Sequence, residues 1–406
     1  MNGVRIQRMK VGFSQKHLIT PRARPGLGWM HDTTVNGKEP GVMPQSDDGD
    51  QMALPEFQPN AESADLTPQL RCLIAGETLT EQAAAEAFGA MMSGAVHHGE
   101  MGALLALLAQ RKPTCAELVG AARVMRSHVT HIPTTLPTGN ILDTAGTGGA
   151  PKTWNVSTAA AIIAAAAGVV VAKHGNRSRT GRGSAEALEA LGVNVDADPE
   201  TQAQCLQTAG ICFCFAIHHH PATRHVMPVR KAIGVPTIFN LLGPLTNPAG
   251  AGRQMMGIYD GQFLDVVADA FVELETTSAI VLHSEDGLDE CSISAPTNML
   301  HVRDGAVQHM TITPESVGLS SAPIESVTAE HLDDAISMIR GVLDGSREGP
   351  IMDMALLNAA VALYVGGQCD DVPGGVEVAR DAVKSGQAMA TLDSLAQTSS
   401  SGEETR

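Results

Sequence analysis

The sequence predicts an α/β protein: a small all-helical N-terminal domain, then a large α/β domain whose mainly parallel central sheet is covered by helices. Three observations carry this. Short apolar runs at Ile141-Leu142, Val169 to Ala172, Cys212 to Ala216 and Ala279 to Leu282 alternate with longer helical patterns, as strands and crossover helices do. From Leu66 to about Ile132 the pattern is helical throughout. Between Gly146 and Ser184 there are five Lys or Arg residues and no Asp or Glu, although the 406-residue chain has a formal net charge of -17.

Taken in order, residues 1–64 lack sustained periodicity and are rich in Pro, Gly, Gln and Asp, so they are expected to form a disordered extension. Their first 30 residues hold six Lys or Arg and no acid, a composition like that of an organelle-targeting segment, but without an amphipathic face. Met30, Met43 and Met52 offer a plainer explanation, a later translation start. Residues 65–135 are expected as the helical domain, with a later contribution around 221–250. Thr67-Pro68 is a helix start, and Thr114 with Glu117 fits a capping box. Residues 136–396 are expected to form the α/β domain, with helical stretches from Ala329 to Val342 and Met352 to Val365. Residues 397–406 read as a loose tail.

At 43% hydrophobic content the chain can bury a sizeable core. Its acidic balance argues against a general nucleic-acid surface, which needs Lys and Arg to neutralise phosphates. Seven cysteines at irregular spacings suit free thiols in a reducing compartment, so a cytoplasmic protein is expected. No apolar run approaches the roughly 18 to 20 residues of a membrane span; Ala159 to Ala172 comes nearest.

The acid-free stretch contains two glycine-rich turns, GTGGAPKT at Gly146 to Thr153 and KHGNRSRTGRGS at Lys173 to Ser184, each between an apolar run and a helical pattern. Free N–H groups and the helix dipole favour phosphate at such turns, and glycine allows close approach. Lys152, Lys173, Arg177, Arg179 and Arg182 add charge for a ligand with two phosphate groups. The first turn is not a nucleoside-triphosphate loop: Pro151 stands where the second glycine is required and offers no N–H. Asp289-Glu290, just after a predicted strand, suits Mg²⁺, which takes one or two protein carboxylates plus substrate phosphates. Cys212, Cys214 and His218-His219-His220 lack zinc-site spacing, and the two cysteines face one side of a strand. Arg230 lies in a helical stretch ending at Gly234, and its neighbour Lys231 is expected to face solvent.

The order DTAGTGGAPKTWNVST, AKHGNRS, GSAEALEALGVN, HPATRHVMPVRKAIGVPTIFNLLGPLTNPA and HSEDGLDE closely resembles the anthranilate phosphoribosyltransferase family, from about Leu66 to Val365. The resemblance implies a homodimer, built mainly by the helical domain, that joins anthranilate to 5-phosphoribosyl 1-pyrophosphate with Mg²⁺. By motif position it implies phosphoribosyl contacts from Gly146, Gly149, Ala150, Lys152, Thr153, Asn155, Val156, Ser157, Thr158, Lys173, His174, Gly175, Asn176, Arg177, Ser178 and Ser184. It implies anthranilate contacts from Gly146, Asn176 and Arg230, and Mg²⁺ positions at Ser157, Asp289 and Glu290. No side chain stands out as a nucleophile or general base.

The sequence departs from the family pattern in both turns. Where the family reads GTGGD with one more residue before the asparagine, this chain has Ala150 and a shorter loop, and the turn after KHGNR is one residue shorter. Lys152 is expected to take over part of the charge neutralisation, so Lys152→Ala should change catalysis or the Michaelis constant for the phosphoribosyl substrate; no change in either would refute this. Two alternatives are a pyrimidine nucleoside phosphorylase of the same fold, faintly resembled by RSRTGRGSAEALEALG, and a non-catalytic nucleic-acid-binding relative. KHGNR and the VRKAIG to NLLGPLTNP stretch weigh against the first. The retained Asp289-Glu290 and the acidic balance weigh against the second.

Overall fold

In the computed structural model, which describes residues 64–401 apart from Lys152, Arg179 and Thr180, the chain begins with four helices. These are α1 (Thr67–Ile74), α2 (Glu81–Ser93), α3 (His98–Arg111) and α4 (Cys115–Ser127). Pro68 occupies the first turn of α1, where its missing N–H costs nothing. The capping box on α4 is formed: Glu117 N donates to Thr114 Oγ1 at 3.3 Å, and Thr114 N donates to Glu117 Oε2 at 2.8 Å. Glu117 is also fully buried, and its Oε1 accepts from Leu79 N at 2.8 Å and from Arg111 Nη2 at 2.5 Å. One carboxylate therefore ties α3, α4 and the α1–α2 connection. Glu117→Ala should cost about 3 kcal/mol in urea unfolding, because a buried charge pair is broken and two N–H groups lose their acceptor. A loss below about 1 kcal/mol would contradict that role.

The α/β part runs β1 (Ile141–Asp143), α5 (Val156–Ala166), β2 (Val170–Gly175), α6 (Ser184–Ala190), α7 (Pro199–Thr208) and β3 (Ile211–Phe215). Three short helices follow, α8 (Ala216–His219), α9 (Met227–Ile233) and α10 (Ile238–Leu242). Val226, Val229, Ile238, Phe239 and Leu242 join the same apolar cluster as Phe88, Met91, Leu104 and Leu105 of the first helices. The chain then forms β4 (Arg253–Gly257), α11 (Leu264–Glu273), β5 (Ser278–Ser284), β6 (Thr297–Arg303) and β7 (Ala306–Ile312). It ends in α12 (Leu332–Leu343), α13 (Pro350–Gly366), α14 (Val372–Lys384) and α15 (Gln387–Ser400).

The seven strands are ordered β3-β2-β1-β4-β5-β6-β7. The first five are parallel, and β6 and β7 are added antiparallel. The β6–β7 hairpin and β4 were not anticipated. From β1 the chain moves outward to β2 and β3, then returns to place β4 on the other side of β1. This reversal opens a crevice beyond the carboxyl ends of β1 and β4, the usual ligand position in such sheets.

The run Ala159 to Ala172 is divided between α5 and β2. Ala159 through Ala164 are buried on all faces of α5, where small side chains let α13 pack closely. Among the described residues no helix is long and apolar enough to cross a membrane. The expected loose tail needs correction: helix α15 continues to Ser400, and Ser399 is buried, its Oγ accepting from Asn194 N at 2.9 Å. Residues 1–63 and 402–406 lie outside the described residues, and with them the expectations for the extension.

Candidate active site

The turns after β1, β2, β4 and β5 meet at the switch point around a cleft of about 760 Å³. Of the expected residues, Gly146, Gly149, Ala150, Thr153, Asn155, Ser157, Lys173, His174, Gly175, Asn176, Arg177, Ser178, Ser184, Arg230, Asp289 and Glu290 line it. Val156 and Thr158 do not: both side chains are fully buried in the first turn of α5. Lys152, and the charge it was expected to supply, lies outside the described residues, as does Arg179.

Asp143, at the end of β1, organises the floor. Its fully buried carboxylate accepts from Ala145 N and His174 N at 3.0 Å each, and from Asn247 Nδ2 at 2.9 Å. These bonds fix both glycine-rich turns to the sheet. Burial raises its pKa, opposed by the Asn247 and His174 hydrogen bonds and the nearby Lys173 charge. Neither Asp143 nor Asn247 was singled out from the sequence, although both fall within the motifs quoted above.

Lys173 is buried, with Nζ 3.3 Å from Thr144 Oγ1 and 3.4 Å from Ser157 Oγ. Burial pulls its pKa down to about 8, against the pull of Asp143 and Glu290. Glu290 accepts from Thr153 Oγ1 at 2.7 Å; burial and then the Asp289 charge raise its pKa to about 7, while a Ser157 backbone hydrogen bond opposes this. Asn155, in the left-handed region at φ 59, starts α5 and donates from Nδ2 to Arg182 O at 3.2 Å, bridging the two turns. A Cβ on Gly146 would lie 3.4 Å from Asp289 Oδ2, which places this carboxylate against the first turn.

The three consecutive histidines point to different partners. His218 Nε2 pairs with Asp196 at 2.7 Å, His219 Nδ1 with Thr130 O at 2.7 Å, and His220 Nε2 with His174 Nε2 at 3.2 Å. Because His174 Nδ1 must donate to Gly243 O at 3.2 Å, its Nε2 accepts and His220 donates. His220 lines the cleft; it begins the HPATRH stretch and belongs to the rejected zinc pattern, but no role of its own was expected for it. Burial lowers the pKa of His174 from 6.5 to about 4 and that of His220 to about 3. Above pH 6.5 both states are neutral. As pH falls below it, the unfolded chain takes up protons that the folded pair refuses, so stability is lost. Lowering the pH from 7 to 5 should cost about 2 kcal/mol per ring, read by urea unfolding, and His220→Gln should show a shallower dependence. An unchanged slope in the variant would refute this.

On the far wall, Arg230 of α9 is half-buried with its guanidinium 5.2 Å from the centre of the Phe239 ring. Lys231 is exposed, as expected. Met227 and Asn240, not foreseen individually, line this wall too. Arg177 borders the cleft but is turned to Glu189, with Nη1 2.9 Å from Oε2.

The chain matches a glycosyl transferase family helical bundle domain over residues 67–129 and a glycosyl transferase family a/b domain over residues 138–389. It is 43% identical over 333 residues to the anthranilate phosphoribosyltransferase of Thioalkalivibrio sulfidiphilus, covering 82% of this chain and 98% of the relative. The crystal structure of anthranilate phosphoribosyltransferase from Thermus thermophilus superposes with a TM-score of 0.76 at 38% identity, over 81% of this chain and 98% of that one. The Saccharomyces cerevisiae enzyme in complex with PRPP and Mg has the same TM-score at 24% identity, covering 83% and 98%, a likeness of fold.

Proposed function

We infer the work of each cleft residue from one premise: the chain belongs to the anthranilate phosphoribosyltransferase family. It transfers the phosphoribosyl group of 5-phosphoribosyl 1-pyrophosphate to anthranilate, giving N-(5-phosphoribosyl)-anthranilate and pyrophosphate, a step of tryptophan biosynthesis. The observation that carries the site assignment is the meeting, at one sheet reversal, of two glycine-rich turns, a buried ammonium and a carboxylate pair, with an Arg–Phe wall opposite.

Attack of the anthranilate nitrogen on the ribose carbon breaks its bond to pyrophosphate, with positive charge building on the sugar and negative charge on the leaving oxygens. Alignment and fixed charge are therefore the main requirements. The Gly146–Thr153 and Lys173–Ser184 turns hold the two phosphate ends, and the Lys173 ammonium lies between them. Arg230 holds the anthranilate carboxylate, while Gly146 and Asn176 border the ring. The neutral aromatic amine attacks directly, so no side chain need first remove a proton.

Ser157, Asp289 and Glu290 would hold Mg²⁺. Their donors are all oxygen, and the carboxylates are adjacent, with Asp289 helping to raise the Glu290 pKa to about 7, a crowding that a divalent cation relieves. When bound, Mg²⁺ neutralises pyrophosphate charge. The yeast relative's complex with PRPP and Mg supports this reading.

The same reading divides the chain at 65–135 with 221–250 for the helical domain, and 136–396 for the α/β domain. It also makes the protein a homodimer joined through its helical domain; Ile74, 72% exposed at the end of α1, supports this. The seven free thiols support a cytoplasmic setting. The reaction is tested by following anthranilate fluorescence with 5-phosphoribosyl 1-pyrophosphate, beside thymidine with phosphate. Consumption of anthranilate alone is expected; thymidine cleavage alone would favour a nucleoside phosphorylase.

A further inference from the structure

We propose that Glu189 is a built-in counter-ion that competes with the substrate's phosphate for Arg177, and so sets the affinity of the cleft for the phosphoribosyl donor. The proposal rests on the reading of Arg177 as a phosphate contact.

Arg177 sits where two partners are within reach. It borders the cleft, yet its Nη1 lies 2.9 Å from Glu189 Oε2, and its guanidinium lies 5.6 Å from the centre of the Phe215 ring at the end of β3. A flat cation over a ring face keeps its attraction while it turns, so Phe215 can carry the guanidinium between the two positions. The backbone around it is pinned: Arg177 N donates to Asn176 Oδ1 at 2.8 Å, Ser178 N to Glu186 Oε1 at 3.2 Å and Gly183 N to Glu186 Oε2 at 3.0 Å. The two α6 glutamates thus divide the task, Glu186 holding the turn and Glu189 the side chain. Glu186 and Asp196 add to the acidic field on Arg177, whose pKa is raised first by the Glu189 hydrogen bond.

The Arg177 and Glu189 side chains are 43% and 53% exposed, so solvent screens their attraction. A screened pair is weak enough for a phosphate to displace, and its removal should change binding only a few-fold. Glu189→Gln keeps the shape and removes the charge. It should tighten the equilibrium dissociation constant for 5-phosphoribosyl 1-pyrophosphate about two- to five-fold, leaving kcat and the anthranilate KM unchanged, with the gain shrinking at high salt. In an Arg177→Ala background the same change should have no effect. If Arg177→Ala alone leaves donor affinity unaltered, the phosphate-contact reading fails. If Arg177→Ala weakens binding but Glu189→Gln leaves it equal or weaker, the counter-ion role is overturned while that reading stands.

Discussion

Gly257→Ala should lower kcat/KM by at least about 100-fold without unfolding the protein, the size of loss that an ångström-scale misplacement produces in a positioned site. Gly257 ends β4, and a Cβ there would lie 1.6 Å from the Asp289 carbonyl oxygen and 2.6 Å from its carbonyl carbon. Both are backbone atoms, so no rotamer change relieves the overlap. β4 is held on its two sides by Thr147 N donating to Gly257 O and Ile258 N donating to Leu282 O, each at 2.9 Å. The 289–290 turn is the element left to move, and it takes the carboxylate pair with it. Asp289→Asn checks the same point without steric conflict, and a comparable loss with an unchanged thermal midpoint is expected. Wild-type kinetics in both variants would show that this turn does not position the donor.

Lys173→Met should reduce kcat/KM about 100- to 1,000-fold, since a fixed charge aimed at developing negative charge is removed. Stability should change little, because burial penalises the ammonium more than Asp143 and Glu290 favour it, and methionine fills similar space without that penalty. The wild-type pH profile offers a second reading. The cation is present below about pH 8 and lost above it, so kcat/KM, which reports the free enzyme, should fall as pH rises through about 8. That limb should vanish in Lys173→Met. A flat wild-type profile from pH 7 to 9 would contradict the assignment.

What the sequence made legible was what repeats locally. β1, β2, β3 and β5 are buried apolar runs, and helix starts at Thr67 and Thr114 carry their own chemistry. β4 was hidden because Arg253-Gln254-Met255-Met256-Gly257 has no β-branched residue and begins with a cation. β7 was hidden because it is largely exposed, so no apolar alternation marks it. In the site, glycine-rich turns and adjacent carboxylates announce phosphate and metal chemistry within a few residues. The Asp143–Asn247 bond spans 104 residues, and the demand for glycine at 257 comes from a carbonyl 32 positions away by numbering, 289 less 257, so neither has a local signal. Arg177 was recognisable as a cation in a glycine-rich turn, but its attachment to Glu189 depends on how α6 folds back.

The most direct test of the phosphoribosyl-transfer account follows pyrophosphate release and anthranilate loss together, with 5-phosphoribosyl 1-pyrophosphate, across a Mg²⁺ titration and after chelation. The account predicts equal amounts of pyrophosphate released and anthranilate consumed, dependence on Mg²⁺, and loss of turnover on chelation. Absence of turnover at every Mg²⁺ concentration would contradict it.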